Sequence, residues 1–495
     1  MVDRRRRPRD GGRPRAPLGA LFLAALAVAC AELPGEDPPP SFLVILTDDQ
    51  GWGATSVQLD PDEPASRSDF VRTPRLEALA AEGLRFSRAY AAHPNCSPSR
   101  AALLTGLSPA RLGFTDVPRP ALKYEVFYRG NRLLPPDGVR ELDPERVTLP
   151  ELLKASRPAY RTAHFGKWHL GSGGPEAHGF DEGDGATGNE QGSDGQRLSA
   201  DPKRCVSVTA RAVDFLERQA SAGRPFFLQV SHYATHLSYQ SRRATWARVQ
   251  GWPPGERHRD RGFAAMSHDL DRSIGELLDA LERLGLARDT WVVFTSDNGT
   301  YPTSNPSNVN GPLRGGKATV YEGGVRVPMI VRGPGVRPGE ARSEPVIGTD
   351  LLPTVAELAG IAERPPELDG VSLVPLLLEG DRRLERPAAG FCFHFPHYQH
   401  RKIVTPRSAW LDLASGEKLH RVWETGTLEL FDLEADPAER RDLATERPQR
   451  ARALAAELEA WLVATGAPRP EPNPAFDPER DPALWIPPDE LEPYD

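Results

Sequence analysis

Cys96 opens the run Cys96-Ser97-Pro98-Ser99-Arg100-Ala101-Ala102-Leu103-Leu104. Pro98 suits the first turn of a helix that Ala101 to Leu104 continue, which puts the cysteine at the helix N-terminus. The dipole and free N–H groups there favour an anion, so the thiol pKa would fall and Cys96 would become nucleophilic. A lone cysteine is otherwise most often a small buried hydrophobe. Arg100, four residues on, shares its helix face and can reach back past it. Asp48-Asp49 and Asp297-Asn298 each follow an apolar run. Taken singly, such pairs cap turns. Taken together, clustered carboxylates and an amide need a cation to offset their repulsion. Oxygen-only donors suit Ca²⁺, or Mg²⁺, rather than zinc. Lys167 and His169 are two apart, and an extended segment would point both the same way. Such a pair can hold an anionic oxygen and move a proton.

These residues need elements to place them. Phe42–Thr47, Pro225–Val230 and Trp291–Thr295 are apolar, β-branched runs that read as strands buried on both faces. Helices are predicted over Thr73–Glu82, Ser207–Gln219 and Ser267–Leu284, the last with Leu270, Ile274, Leu277, Leu278, Leu281 and Leu284 at helical spacing. Alternating strands and helices give an α/β class, a large mostly parallel sheet sandwiched by helices. In such sheets functional groups gather at the strands' carboxyl ends, so two strands ending in acidic pairs point at one site. The texture changes near residue 385. Strands around Phe391–Phe395, Ala409–Leu413 and Glu429–Leu433 and a helix over Pro448–Ala464 predict a smaller C-terminal α+β unit. The expected division is a catalytic domain over 42–385, the small unit over 386–465 and a Pro-rich tail over 466–495. The tail is expected to wrap the body through Phe476, Trp485 and Ile486.

The chain has 495 residues, with 61 basic against 69 acidic side chains and a net charge of −8. That balance excludes a nucleic-acid binder, which needs a basic face. Residues 1–30 carry Arg4, Arg5, Arg6, Arg7, Arg9, Arg13 and Arg15 ahead of the apolar run Leu18–Ala29, the pattern of an export signal. The run is too short to span a bilayer as a helix. It ends Ala27-Val28-Ala29-Cys30, which serves a small-residue cleavage site and resembles a lipoprotein box. Lipidated Cys30 would attach the chain to a membrane. The expected location is the periplasm, an outer-membrane anchor or the medium. Residues 31–41 read as a linker. Cys205 and Cys392 could form a disulfide in an exported protein.

The run from Cys96 to Gly106 resembles the sulfatase signature, C-x-P-S-R followed by x-x-x-L-T-G, at every defined position. Asp48-Asp49, Gly166-Lys167-Trp168-His169-Leu170-Gly171, Asp297-Asn298-Gly299 and Leu313-Arg314-Gly315-Gly316-Lys317 resemble further family motifs in family order. So do Thr349-Asp350-Leu351-Leu352-Pro353-Thr354 and Leu368-Asp369-Gly370-Val371-Ser372. The resemblance, to bacterial exported arylsulfatase-like members of the formylglycine-dependent type, spans about Phe42 to Leu462 and implies an alkaline-phosphatase-like fold. It implies that a dedicated maturation enzyme oxidises Cys96 to formylglycine. It also implies Ca²⁺ on Asp48, Asp49, Asp297, Asn298 and residue 96, and catalytic roles for Arg100, Lys167, His169, His236 and Lys317.

In the implied mechanism one hydroxyl of the hydrated aldehyde, activated by Asp297, attacks sulfur. Arg100, Lys167 and Lys317 neutralise the sulfate oxygens. His236 protonates the departing alkoxide and leaves a covalent sulfate ester. His169 takes the proton of the second hydroxyl, and sulfate is expelled. His236, in Ala234-Thr235-His236-Leu237, fits the family position better than His232, although the flanking prolines of the common motif are missing. His394 and His397, in Phe393-His394-Phe395-Pro396-His397-Tyr398, resemble substrate-pocket segments of carbohydrate sulfatases; a loop between domains is the competing reading. The expected substrate is a sulfate ester of a glycan or small molecule. A phosphodiesterase or phosphonate hydrolase of the same superfamily, and a non-catalytic receptor for sulfated glycans, are the alternatives.

Overall fold

The computed structural model describes residues 39–118, 131–301, 309–399 and 404–477. Residues 1–38, which include the expected export signal and Cys30, lie outside them, as do Trp485 and Ile486. Eight strands form the main sheet. They are β1 (Ser41–Thr47), β2 (Leu84–Phe86), β3 (Arg161–Gly166), β4 (Glu182–Gly183), β5 (Phe226–Ser231), β6 (Thr290–Ser296), β7 (Met329–Arg332) and β8 (Ala341–Arg342), in the order β8-β2-β7-β6-β1-β5-β3-β4. Only β7 runs antiparallel to its neighbours, so the sheet is mostly parallel, as the sequence predicts. The central strands β1 and β5 are buried along their whole length. Their side chains fill a separate core on each face, Leu43 and Ile45 in one and Phe42, Val44 and Leu46 in the other.

The helices cover both faces. Those used below are α1 (Pro74–Glu82), α2 (Cys96–Thr105), α3 (Cys205–Ala222), α4 (Arg261–Arg283) and α5 (Pro448–Ala464). On one face α4 packs with α1 and α3 over β1, β5 and β6. Helix α4 starts at Arg261, six residues before the predicted start, and is capped by Asp260, whose side chain accepts from Phe263 N.

The C-terminal strands β9 (Gly390–Phe395), β10 (Arg407–Asp412), β11 (Glu417–Val422) and β12 (Leu428–Asp432) form an antiparallel sheet in that order. Strand β11 carries charged and polar residues among its apolar ones and has no clear pattern in the sequence. Strand alternation splits the sheet's two faces. Phe391, Phe393 and Phe395 pack on Tyr90, Ala102 and Val325 of the main body, while Cys392, Trp410 and Leu419 pack on Leu454 and Leu458 of α5. The described residues, from 39 to 477, form one compact unit. At the start of the tail, Glu471–Pro472 pairs antiparallel with Leu133–Leu134, and Arg132 stacks on Phe476. Among the described residues no helix is long and apolar enough to cross a membrane. Cys205 and Cys392 are buried, free and in different cores, so the suggested disulfide is absent.

Candidate active site

Register brings the site together. Strands β6, β1, β5 and β3 are adjacent and parallel, pairing Thr47 with Ser296, Leu46 with Ser231 and Ser231 with Gly166. The residues after each strand therefore emerge at one edge of the sheet. Asp297 N donates to Thr47 O at 3.1 Å, His232 N to Leu46 O at 2.8 Å and Lys167 N to Ser231 O at 2.8 Å. Gly166 has φ +103°, and a Cβ there would lie 2.0 Å from Ser231 O, so only glycine lets β3 end against β5 in this way.

The two acidic pairs meet, as two strands ending in carboxylates require. Asp49 N donates to Asp297 Oδ1 at 3.1 Å, and Asn298 Nδ2 to Asp49 Oδ1 at 2.7 Å. Helix α2 enters from the sheet's end with Cys96 as its first residue. Donor atoms of Asp48, Cys96 and Asp297 lie within 4.8 Å of one another, all buried. Asp48 Oδ1 and Asn298 Oδ1 are buried with no hydrogen-bond partner. Unpaired buried oxygens of this kind fit a hard cation. Asp49 is turned instead toward Lys317, whose Nζ lies 2.7 and 2.9 Å from its two oxygens.

Each carboxylate has a cationic partner. Lys167 Nζ donates to Asp48 Oδ2 at 2.6 Å, and Arg100 donates from Nε and Nη2 to Asp297 Oδ2 at 2.8 and 2.7 Å. Burial opposes ionisation of Asp48, but Lys167, His236, Arg100 and Lys317 together hold its carboxyl well below the usual range. Burial pushes the Asp297 carboxyl up against the pull of Arg100. For Lys317, burial is outweighed by Asp49, Cys96 and Asp48, and its ammonium is held more firmly charged than usual.

Two sequence expectations fail here. Burial raises the Cys96 thiol pKa, and the neighbouring Lys167 and Lys317 do not reverse it. The helix N-terminus therefore does not make Cys96 a ready thiolate, because desolvation exceeds the favourable field. Nor is 167–169 an extended segment, since His169 has φ +59°. His169 is in the site nonetheless: burial, then Lys167 and Arg100, hold its ring well below the usual histidine range.

His236 also reaches the site, with Nε2 3.8 Å from Asp49 Oδ2 and the side chain 23% exposed. His232 is fully buried, with no partner on either ring nitrogen, and stays out of it. The two suggested substrate histidines are enclosed. His394 follows Phe393 on β9 and so faces the opposite side of the small sheet, where Ser408 Oγ (2.6 Å) and Pro468 O (2.7 Å) engage its ring. His397 Nε2 lies 2.9 Å from Thr115 Oγ1 in a fully buried position.

Other residues support the site without a motif to announce them. Thr235 N donates to Asp48 O at 2.5 Å, and its Oγ1 to Asp49 O at 3.0 Å. Glu439 clamps the loop that carries Lys317 from both ends: its carboxylate accepts from Glu322 N at 2.6 Å and its carbonyl from Arg314 Nη1 at 3.1 Å.

Comparison with known proteins completes the description. The sulfatase family model matches residues 40–361, and that of the C-terminal region of N-sulphoglucosamine sulphohydrolase matches 316–465. The chain is 34% identical over 407 residues to the N-acetylgalactosamine-6-sulfatase of Canis lupus familiaris, covering 75% of this chain and 72% of that one. It is 34% identical over 426 residues to arylsulfatase A of Homo sapiens, covering 78% and 75%. The solved structure of Ps i-CgsB is similar with a TM-score of 0.68 and 27% identity, over 86% of this chain and 93% of that one. Sheet order, buried site and family match agree: the chain belongs to the type I sulfatase family and is a sulfuric ester hydrolase.

Proposed function

We propose that this sulfatase cleaves sulfate esters of carbohydrates, with aryl sulfates as convenient artificial substrates, using formylglycine made from Cys96 by a maturation enzyme and a bound Ca²⁺. The observation that carries this reading is the buried convergence of Asp48, Cys96 and Asp297 beside the unpartnered Asp48 Oδ1 and Asn298 Oδ1. Oxygen donors on two strand ends suit Ca²⁺, and Mg²⁺ fits the same donor chemistry. A carbohydrate substrate is supported by the relatives named for N-acetylgalactosamine-6-sulfate chemistry, and by Ps i-CgsB, which has also been solved with k-i-k-neocarrahexaose.

Asp48, Asp49, Asp297, Asn298 and residue 96 would hold the cation, which supplies charge neutralisation at the sulfate oxygens. The hydrated aldehyde supplies a nucleophile and a second hydroxyl that lets sulfate leave. The chain's own side chains do the rest. Lys167 and Lys317 each spend donors on Asp48 or Asp49 and keep others for sulfate oxygens. Arg100 holds Asp297 in place beside Cys96. His236 Nδ1 lies 2.7 Å from Leu237 O. A carbonyl only accepts, so Nδ1 carries hydrogen, and Nε2 passes a proton to the leaving oxygen from the imidazolium, a form that burial and Lys317 oppose and that Asp49 and Asp48 favour. His169 takes up the proton released when sulfate departs.

Intact-mass analysis of the peptide containing Cys96 tests this directly. Formylglycine there makes it about 18 Da lighter, and the Cys96→Ala variant should lose at least ~10³-fold in kcat on an aryl sulfate. An unmodified cysteine in active enzyme, or full activity in the alanine variant, would sink the nucleophile. A higher kcat/KM on an aryl phosphodiester than on the aryl sulfate would overturn the substrate class.

A further inference from the structure

Lys203 lies away from every family motif, in Asp201-Pro202-Lys203-Arg204 just before α3. Its side chain is directed into the protein, and the residue is 2% exposed. Lys203 and Arg204 both have left-handed backbone, φ +51° and +54°, which is unfavourable for residues with a Cβ. Gln240 Oε1 accepts from Lys203 N at 3.0 Å and holds that conformation in place. Among the described residues no carboxylate lies within ion-pair distance of the ammonium. Its partner is a backbone carbonyl, Leu237 O, at 3.1 Å.

A buried lysine without a counter-charge is costly. Burial lowers the Lys203 pKa to about 8, with Asp48 and Asp49 acting in the opposite sense. The carbonyl it occupies is the one that His236 Nδ1 uses, 2.7 Å away. One oxygen thus accepts from a lysine and from the ring. On the other side of His236, Thr235 is tied to Asp48 O and Asp49 O. The segment carrying His236 is therefore anchored to the metal-binding strand end at one flank and to Lys203 at the other.

We propose that Lys203 is a positioning residue for His236: by holding the Leu237 carbonyl it fixes the ring's Nδ1–H and aims Nε2 at the oxygen that leaves. The proposal rests on the reading of His236 as the proton donor to the leaving group. That role gives it a signature that general loosening of the fold lacks. A misdirected acid costs little when the leaving group departs readily as an anion. It costs much when the leaving group is a poor one, as a sugar alkoxide is.

The test uses the full matured enzyme and a series of aryl sulfates of graded phenol acidity. Wild type, Lys203→Met, Lys203→Arg and His236→Ala are compared, with thermal unfolding recorded for each. Lys203→Met should react nearly as fast as wild type on the most acidic phenols and lose about 10- to 100-fold in kcat on the least acidic, the usual range for groups that orient a functional histidine. KM should change little, and Lys203→Arg should restore most of the loss. An equal loss on every substrate, or no loss, would overturn the proposal. Should Lys203→Met not fold, Lys203→Ala, which likewise withdraws the donor from the Leu237 carbonyl, carries the test with the same two outcomes. The His236→Ala series separates the layers. If its leaving-group dependence is unchanged, the acid role of His236 fails. If it steepens while that of the Lys203 variants does not, only the positioning role fails.

Discussion

Arg100 and Asp297 are 1% and 0% exposed and share a two-pronged hydrogen bond. Removing one member of such a pair leaves a buried charge alone, which typically costs about 3–5 kcal/mol. Arg100→Ala should therefore lower the unfolding free energy obtained from urea titration by an amount in that range and abolish turnover together. A variant as stable as wild type would show that solvent or rearrangement compensates Asp297. At this scale much was legible in advance. Asp48, Asp49, Asp297, Asn298, Arg100, Lys167 and Lys317 announce themselves by type and motif, and the structure brings all of them to one place. The choice of His236 over His232 was legible only by resemblance, because both lie just past the same strand. His394 could not be judged from its segment at all. Which way it faces depends on the phase of β9, and that phase places Phe391, Phe393 and Phe395 on the main body and His394 on the other side.

Elements are held by residues far from them in sequence. Helix α1 begins at Pro74, and Thr73 makes no side-chain cap. The cap comes from α4: Asp271 accepts from Arg75 N and Leu76 N at 3.0 Å each. Burial, against those two bonds, pushes the Asp271 carboxyl up to about 7 from its ordinary 3.8. Its folded pKa is thus above its unfolded one, so the native state binds the extra proton between those values. This group's contribution is fully present below about pH 4, shrinks as pH rises and is gone above about pH 7. In Asp271→Asn, urea midpoints measured from pH 4.5 to 8 should lose that downward component relative to wild type. A pH dependence identical to wild type would mean that Asp271 is ionised throughout. The long amphipathic helices and apolar strands were readable because their periodicity is strong. Strand β11 and the two-residue strands at the sheet edges were not, because their pairing is decided by neighbours rather than by their own pattern.

On the whole-molecule scale the net charge of −8 includes residues 1–30, which carry seven arginines and two aspartates, so the rest of the chain is still more acidic. At the site Arg100, Lys167 and Lys317 balance Asp297, Asp48 and Asp49, so a bound divalent cation would supply the local field that draws in a sulfated substrate against the molecule's net charge. If Cys30 is lipidated as its leader suggests, Cys30→Ser should move the protein from the membrane fraction to the soluble one and abolish fatty-acid labelling. An unlabelled, soluble wild type would refute the anchor. The small C-terminal sheet is part of the same body, since Glu439 and the β9 phenylalanines hold the Lys317 loop and the region around α2. By itself the sequence determined the α/β class, the catalytic motifs and the oxygen-donor chemistry, because these depend on local pattern and residue type. Tertiary structure alone decided that Cys96 is desolvated rather than activated, that His394 and His397 are enclosed, that Cys205 and Cys392 stay apart, and that Lys203 stands behind His236. Each of those outcomes depends on what lies across a strand register or a packed core, and no spacing along the chain encodes that.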